Sequence, residues 1–221
     1  MGCWNIKALK DHSIALNGED KSTIERINST SRAIDIFCYH LEQAKTQNDL
    51  TIGSTPREQM ELVMPPEEKM LEVWKRKLAI QANTQACIHT ARSIHDLFAQ
   101  LVNGLLFQNP IAVHDCDVYK VTQKLEDGEL KTALSNLLGS FEFKYVNAFV
   151  NTIKHRNLVD FGALVSFEEN RSGVQFNGFK FKGEPYDKLW AEDVLKLTLT
   201  VKNTVITAGC LLNQEFGVID E

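Results

Sequence analysis

Along most of this chain apolar residues recur at spacings of three and four, the period of helices that bury one stripe. Ile24, Ile27, Ala33 or Ile34, Phe37 and Leu41 predict a long helix over about 22–47, and Ser22 and Glu25 stand ahead of it at capping-box spacing. Pro56, Pro65 and Pro66 break the pattern between 48 and 66, which reads as a surface connection carrying a turn of helix at 56–63. From Glu67 the helical period runs to Phe107, where Asn109-Pro110 stops it. Within that run Ile88, Ala91, His95, Phe98, Val102 and Leu105 form the a/d seam of a helix–helix contact.

Shorter helices are predicted at 117–125 and 129–138, separated by Asp127-Gly128, and another from Gly139 to Asp160. The period then switches to two. Ala163, Val165 and Phe167, then Val174 and Phe176, then Phe179 and Phe181 predict a small hairpin or three-stranded meander over 162–183, divided at Asn170–Gly173 and at Asn177-Gly178. A heptad-like stripe from Leu189 to Phe216 predicts a closing helix over about 187–216. Residues 1–20, which include Asn17-Gly18, read as a loose lead-in. The sum is an all-α fold: an antiparallel helical bundle with long helices and a small β insertion before the C-terminal helix, in a single domain spanning 1–221. A helix long enough to overshoot its bundle commonly meets a second subunit, so a homodimer is expected.

Composition narrows the chemistry. A 43% hydrophobic content can close a core at this length, and 24 basic against 29 acidic residues give −5, so overall charge will not coat nucleic acid and any phosphate binding is local. Five scattered cysteines form no Cys-x-x-Cys pair and have no histidine at ligand spacing, which supports neither a disulfide framework nor a zinc site; no metal or cofactor is expected. A secretory leader pattern and an uninterrupted apolar run of about 18 residues are both missing, so the expectation is a cytoplasmic chain without a membrane span. Met1-Gly2-Cys3 has an acylation-like start, but Ile6 occupies the place where a Ser or Thr is wanted. Phosphate-loop, dinucleotide, Ser-His-Asp and His-Glu-x-x-His patterns do not occur.

Candidate chemistry concentrates at the end of the 139–160 helix. Asn151 and His155 are neighbours four residues apart, and Lys154 and Arg156 bracket the imidazole with positive charge. This arrangement suits a phosphate: the cations would neutralise it, and an imidazole with a pKa near neutrality can move a proton. A basic last turn complementing the helix dipole is the competing account. On the long preceding helix His95 sits inside the seam, and Arg92 and Asp96 are spaced to pair. These three would either support His155 or form a polar layer that fixes helix register. Trp74-Lys75-Arg76-Lys77 is read as a solvated helix face with Trp74 tucked inward, and the phenylalanines of the insert as an apolar face docked on the helices.

The helix order and the stretch Asn151-Thr-Ile-Lys154-His155-Arg156, followed by a β-hairpin, resemble the HEPN superfamily (higher eukaryotes and prokaryotes nucleotide-binding domains), in particular bacterial members with an Asn-x-x-Lys-His-Arg stretch. The resemblance implies a helical bundle, often dimeric. It also implies a metal-independent ribonuclease of a toxin, defence or RNA-processing system, with RNA or a nucleotide as ligand and a neutralising protein as partner. The family signature is an arginine, a polar residue, three more residues and a histidine. Asn151 and His155 match it, whereas Val150 holds the arginine's place, so Arg156, Lys154 or Arg92 would have to supply that charge. A non-catalytic interaction or dimerisation module, and a regulatory nucleotide-binding domain, are the alternatives.

Overall fold

A computed structural model describes residues 4–51 and 55–218, which leaves Met1-Gly2-Cys3 outside the described residues. The chain is mostly helical. Among the described residues it forms α1 (Ile6–Asn17), α2 (Lys21–Thr51), α3 (Pro56–Val63), α4 (Met70–Leu106), α5 (Val118–Lys124), α6 (Glu129–Gly139), α7 (Phe141–His155) and α8 (Ala191–Glu215). Five short strands lie between α7 and α8: β1 (Phe161–Ser166), β2 (Arg171–Phe176), β3 (Phe179–Phe181), β4 (Glu184–Tyr186) and β5 (Leu189–Trp190).

Residue contacts group the chain into two compact units, each discontinuous in sequence. One comprises Met1–Ile36, Thr90–Lys144 and Leu199–Glu221; the other comprises Phe37–His89 and Tyr145–Thr198. In the first, the expected loose lead-in is instead helical. Asn5 caps α1 by accepting from the Ala8 amide at 2.9 Å, and Trp4 and Leu9 are buried. The Trp4 indole donates to Asn213 Oδ1 at 3.0 Å and meets Phe98 edge-on, and a Cβ at Gly209 would collide with its ring. Trp4 is therefore held by residues some two hundred positions away, which no local pattern shows. The start of α2 is likewise capped by Asp20, which accepts from the amides of Ser22 and Thr23, and Glu25 turns outward to Arg32. Asn103 closes the loop after α4 by exchanging two hydrogen bonds with Ile111.

The second unit holds the sheet. Thr55 and Glu58 form a full capping box at α3, the helix anticipated at 56–63. The β insert is larger than a three-stranded meander: β1, β2 and β5 make one antiparallel sheet and β3 and β4 a separate hairpin. Its two-residue turn, Lys182-Gly183, has positive φ at both positions, as a hairpin of the primed kind requires. The connection between β1 and β2 is 167–170, not Asn170–Gly173, because Arg171 to Gly173 pair with β1. Phe167 thus falls on the turn at 84% exposure instead of in the core. Phe176 and Phe179 do pack inward. Phe176 and Phe179 meet Phe149 of α7 edge-on at 5.7 and 5.6 Å, and Phe179 stacks on Tyr186 at 5.0 Å.

Arg171 anchors the end of this sheet. It donates to Asp193 at 2.6 Å and to Glu192 at 2.8 Å in the first turn of α8, and lies 5.0 Å above the Trp190 ring. Length and composition alone would allow α8 to cross a membrane. Val194, Leu195, Val201, Val205, Ala208 and Leu212 are buried along it, the stripe of a core helix.

Candidate functional site

α7 is apolar around most of its circumference, which fixes where its polar residues can go. Tyr145, Val146, Ala148, Phe149, Val150 and Thr152 are all buried, as expected of a helix covered on two sides. Ser140 opens the helix by accepting from the Phe143 amide at 3.2 Å. The far end comes sooner than the pattern suggests: regular structure stops at His155, and 156–160 leaves the helix. The Thr152 carbonyl receives two donors there, the amides of Arg156 at 2.9 Å and Asn157 at 3.3 Å. That bifurcation turns the chain outward and exposes three consecutive side chains, Lys154, His155 and Arg156.

Their surroundings differ. Arg156 donates through Nη1 to the Lys180 carbonyl of β3 at 2.9 Å, which leaves its other guanidinium donors free to point outward. His155 and Lys154 form no hydrogen bond and no ion pair among the described residues. The carbonyl or carboxylate partner that a structural histidine would have is therefore missing within this unit. Asn151 is half-buried and its amide is committed to the Asn147 carbonyl at 2.7 Å, one turn back. It is thus positioned beside the corner but not free to grip a ligand through Nδ2. Val150, in the place of the family arginine, is 3% exposed.

His89 of α4 joins this corner, a residue absent from the sequence-derived set. It is half-buried, and burial holds its imidazole below the usual histidine value, with the nearby Lys154 ammonium pushing the same way. No spacing or motif in the sequence singles it out.

The three proposed supporting residues belong to the other unit, where the His95 Nε2 is buried with no hydrogen-bond partner among the described residues. His95 is fully buried; its Nδ1 donates to the Ala91 carbonyl at 2.7 Å and its ring meets Phe143 edge-on at 5.3 Å. Burial first, then the adjacent Arg92 charge, push its pKa down to about 4 against the opposing effect of the Ala91 hydrogen bond, so it is neutral at physiological pH. Arg92 pairs with Asp96 at 2.6 Å and lies 5.7 Å above Phe143. This is a polar layer built into a core helix.

Among the described residues no group of three or more histidine, cysteine, aspartate or glutamate side chains is arranged to hold a metal ion. No family model, curated protein or solved structure matches this chain.

Proposed function

We propose that this chain is a HEPN-like antiparallel helical bundle that binds the phosphate backbone of RNA at the C-terminal end of α7 and cleaves it there without a metal. The observation that carries this reading is the exposure of Lys154, His155 and Arg156 with no carboxylate paired to any of them among the described residues. Lys69, Arg76, Arg171 and Lys196 of the same unit are ion-paired, whereas Lys75 and Lys77 are not, so what sets this corner apart is the exposed imidazole between its two cations. Exposed, unneutralised cations beside an exposed imidazole suit a phosphodiester. In the cleavage step His155 accepts the 2′-hydroxyl proton and the 2′-oxygen bonds to phosphorus. The bond from phosphorus to the 5′-oxygen breaks, and the proton passes to that leaving oxygen. Lys154 and Arg156 balance the charge that builds on the phosphorane, and the products are a 2′,3′-cyclic phosphate and a 5′-hydroxyl. A cytoplasmic defence or toxin setting with a neutralising partner belongs to the same proposal.

Val150 favours a second reading, a non-catalytic interaction module. The family arginine's position faces the core here, so its charge would have to come from Arg156, whose Nη1 is already committed to a carbonyl. Labelled single-stranded RNA incubated with the purified chain in EDTA separates the two. Shortened fragments ending in cyclic phosphate, lost in His155→Ala with RNA binding retained, are expected. Intact RNA with the wild-type chain removes the catalytic step. Binding that is absent, or that does not weaken as salt rises, removes the site.

A further inference from the structure

α4 is buried only from Ile80 onward, and its first two turns leave their apolar side chains open to water. Ile80, Thr84, Cys87 and Ile88 are buried along one side. At 100° per residue Met70, Trp74 and Leu78 line up at i, i+4 and i+8 with Leu71 beside them, on an arc about 100° wide that borders the stripe buried further along the helix. These four are 55, 55, 42 and 62% exposed, so Trp74 points outward, contrary to the inward placement expected from sequence. Met64, just ahead of the helix, is 72% exposed. Four large apolar side chains open to water within nine residues mark a surface that another molecule covers. A solvent-facing tryptophan beside methionines is the composition of an interface centre.

The charges bordering the arc select the occupant. Glu67 and Glu68 stand at its N-terminal end, and Lys75 and Lys77 flank it towards the C-terminal end. Glu67, Lys75 and Lys77 form no ion pair among the described residues. A second copy of this helix laid antiparallel across the first, about a two-fold axis near Glu72, sets Met70 against Trp74, Glu67 against Lys77 and Glu68 against Arg76 twice, with Lys75 opposite a Lys69 that Glu61 already neutralises. Parallel packing would set like charge on like.

We propose that this stripe docks a second copy of the same chain, helix on helix and antiparallel. The long helices suggest dimerisation without naming a surface; this face supplies one, and it is independent of the phosphate corner. The stripe runs over only about 12 Å, short of the ~800 Å² per partner of a standard interface, so association is weak, with a dissociation constant on the order of tens of micromolar.

Sedimentation velocity from about 1 to 500 µM tests it. The wild-type chain is expected to pass reversibly from monomer to dimer. Trp74→Lys and, as a milder variant, Leu71→Gln stay monomeric with unchanged circular dichroism and melting. Lys75→Glu with Lys77→Glu, and Glu67→Lys with Glu68→Lys, should each be monomeric alone and dimerise when mixed in equal amounts, because only the mixture places acid opposite base. A wild-type monomer throughout, a charge variant that dimerises like wild type, or a mixture that stays monomeric overturns the proposal. So does a chain that remains monomeric but binds phosphatidylcholine–phosphatidylserine vesicles through Trp74, which would assign the stripe to a lipid surface.

Discussion

His95 belongs to the first unit and His155 to the other, yet their sequence settings are alike: each lies on a helix near an arginine, with a further charged residue adjacent. Their environments are opposite. His95 is fully buried, donates to a carbonyl, touches an aromatic ring and is held neutral. His155 is exposed, holds no partner among the described residues and sits between two exposed cations. Neighbouring charge in the sequence therefore says little about a histidine's role; burial and the hydrogen bond that fixes the ring decide it. The buried histidine should matter to stability and the exposed one to chemistry.

The largest expected effect is on the buried member. His95→Ala removes a packed ring and a buried hydrogen bond and should cost ~2–4 kcal/mol in chemical denaturation. Its pH dependence has a definite sign. The folded pKa of about 4 lies below the ordinary 6.5 of the unfolded chain. The contribution is thus complete above 6.5 and falls as pH drops towards 4, because only the unfolded state takes up the proton. Across that window the loss is ~3 kcal/mol, and His95→Gln should flatten the slope of stability against pH between 6.5 and 4. A slope unchanged in that variant would mean that another group titrates there.

How much of this contrast is legible in the sequence follows from the range of the forces involved. Proline breaks and capping chemistry are local, and the helix at 56–63, the stop at Asn109-Pro110 and the two short helices can all be read from them. The cluster Asn151, Lys154, His155 and Arg156 is legible as a set because four-residue spacing makes neighbours on any helix. Burial depends on distant partners. Trp4 is fixed by Gly209 and Asn213, so α1 cannot be foreseen. The apolar pattern of α4 runs on through its first turns, and periodicity cannot tell that it is covered only from Ile80 onward, so it puts Trp74 on the wrong side. Phe167 fits a period-two pattern yet sits on the turn, since strand pairing, not alternation, sets where β1 ends.

A paired cation in the sheet-bearing unit gives an intermediate test. Arg171 bonds two carboxylates and covers Trp190, with 27% of its side chain exposed. Arg171→Ala should cost ~1–2 kcal/mol, part of it lost packing on the indole and therefore retained at high salt. A cost that vanishes in ~1 M salt would reduce the contact to charge alone.

The smallest effect is the most discriminating. His155→Ala removes a side chain with no partner among the described residues, and surface changes of that kind stay within about 0.5 kcal/mol. Its melting temperature should match wild type within a degree or two, or exceed it slightly, because a residue placed for chemistry need not serve the fold. A loss above about 1 kcal/mol would show that His155 has a structural role after all. The resemblance between the two histidines would then extend beyond sequence, and the case for chemistry at the end of α7 would rest on Lys154 and Arg156 alone.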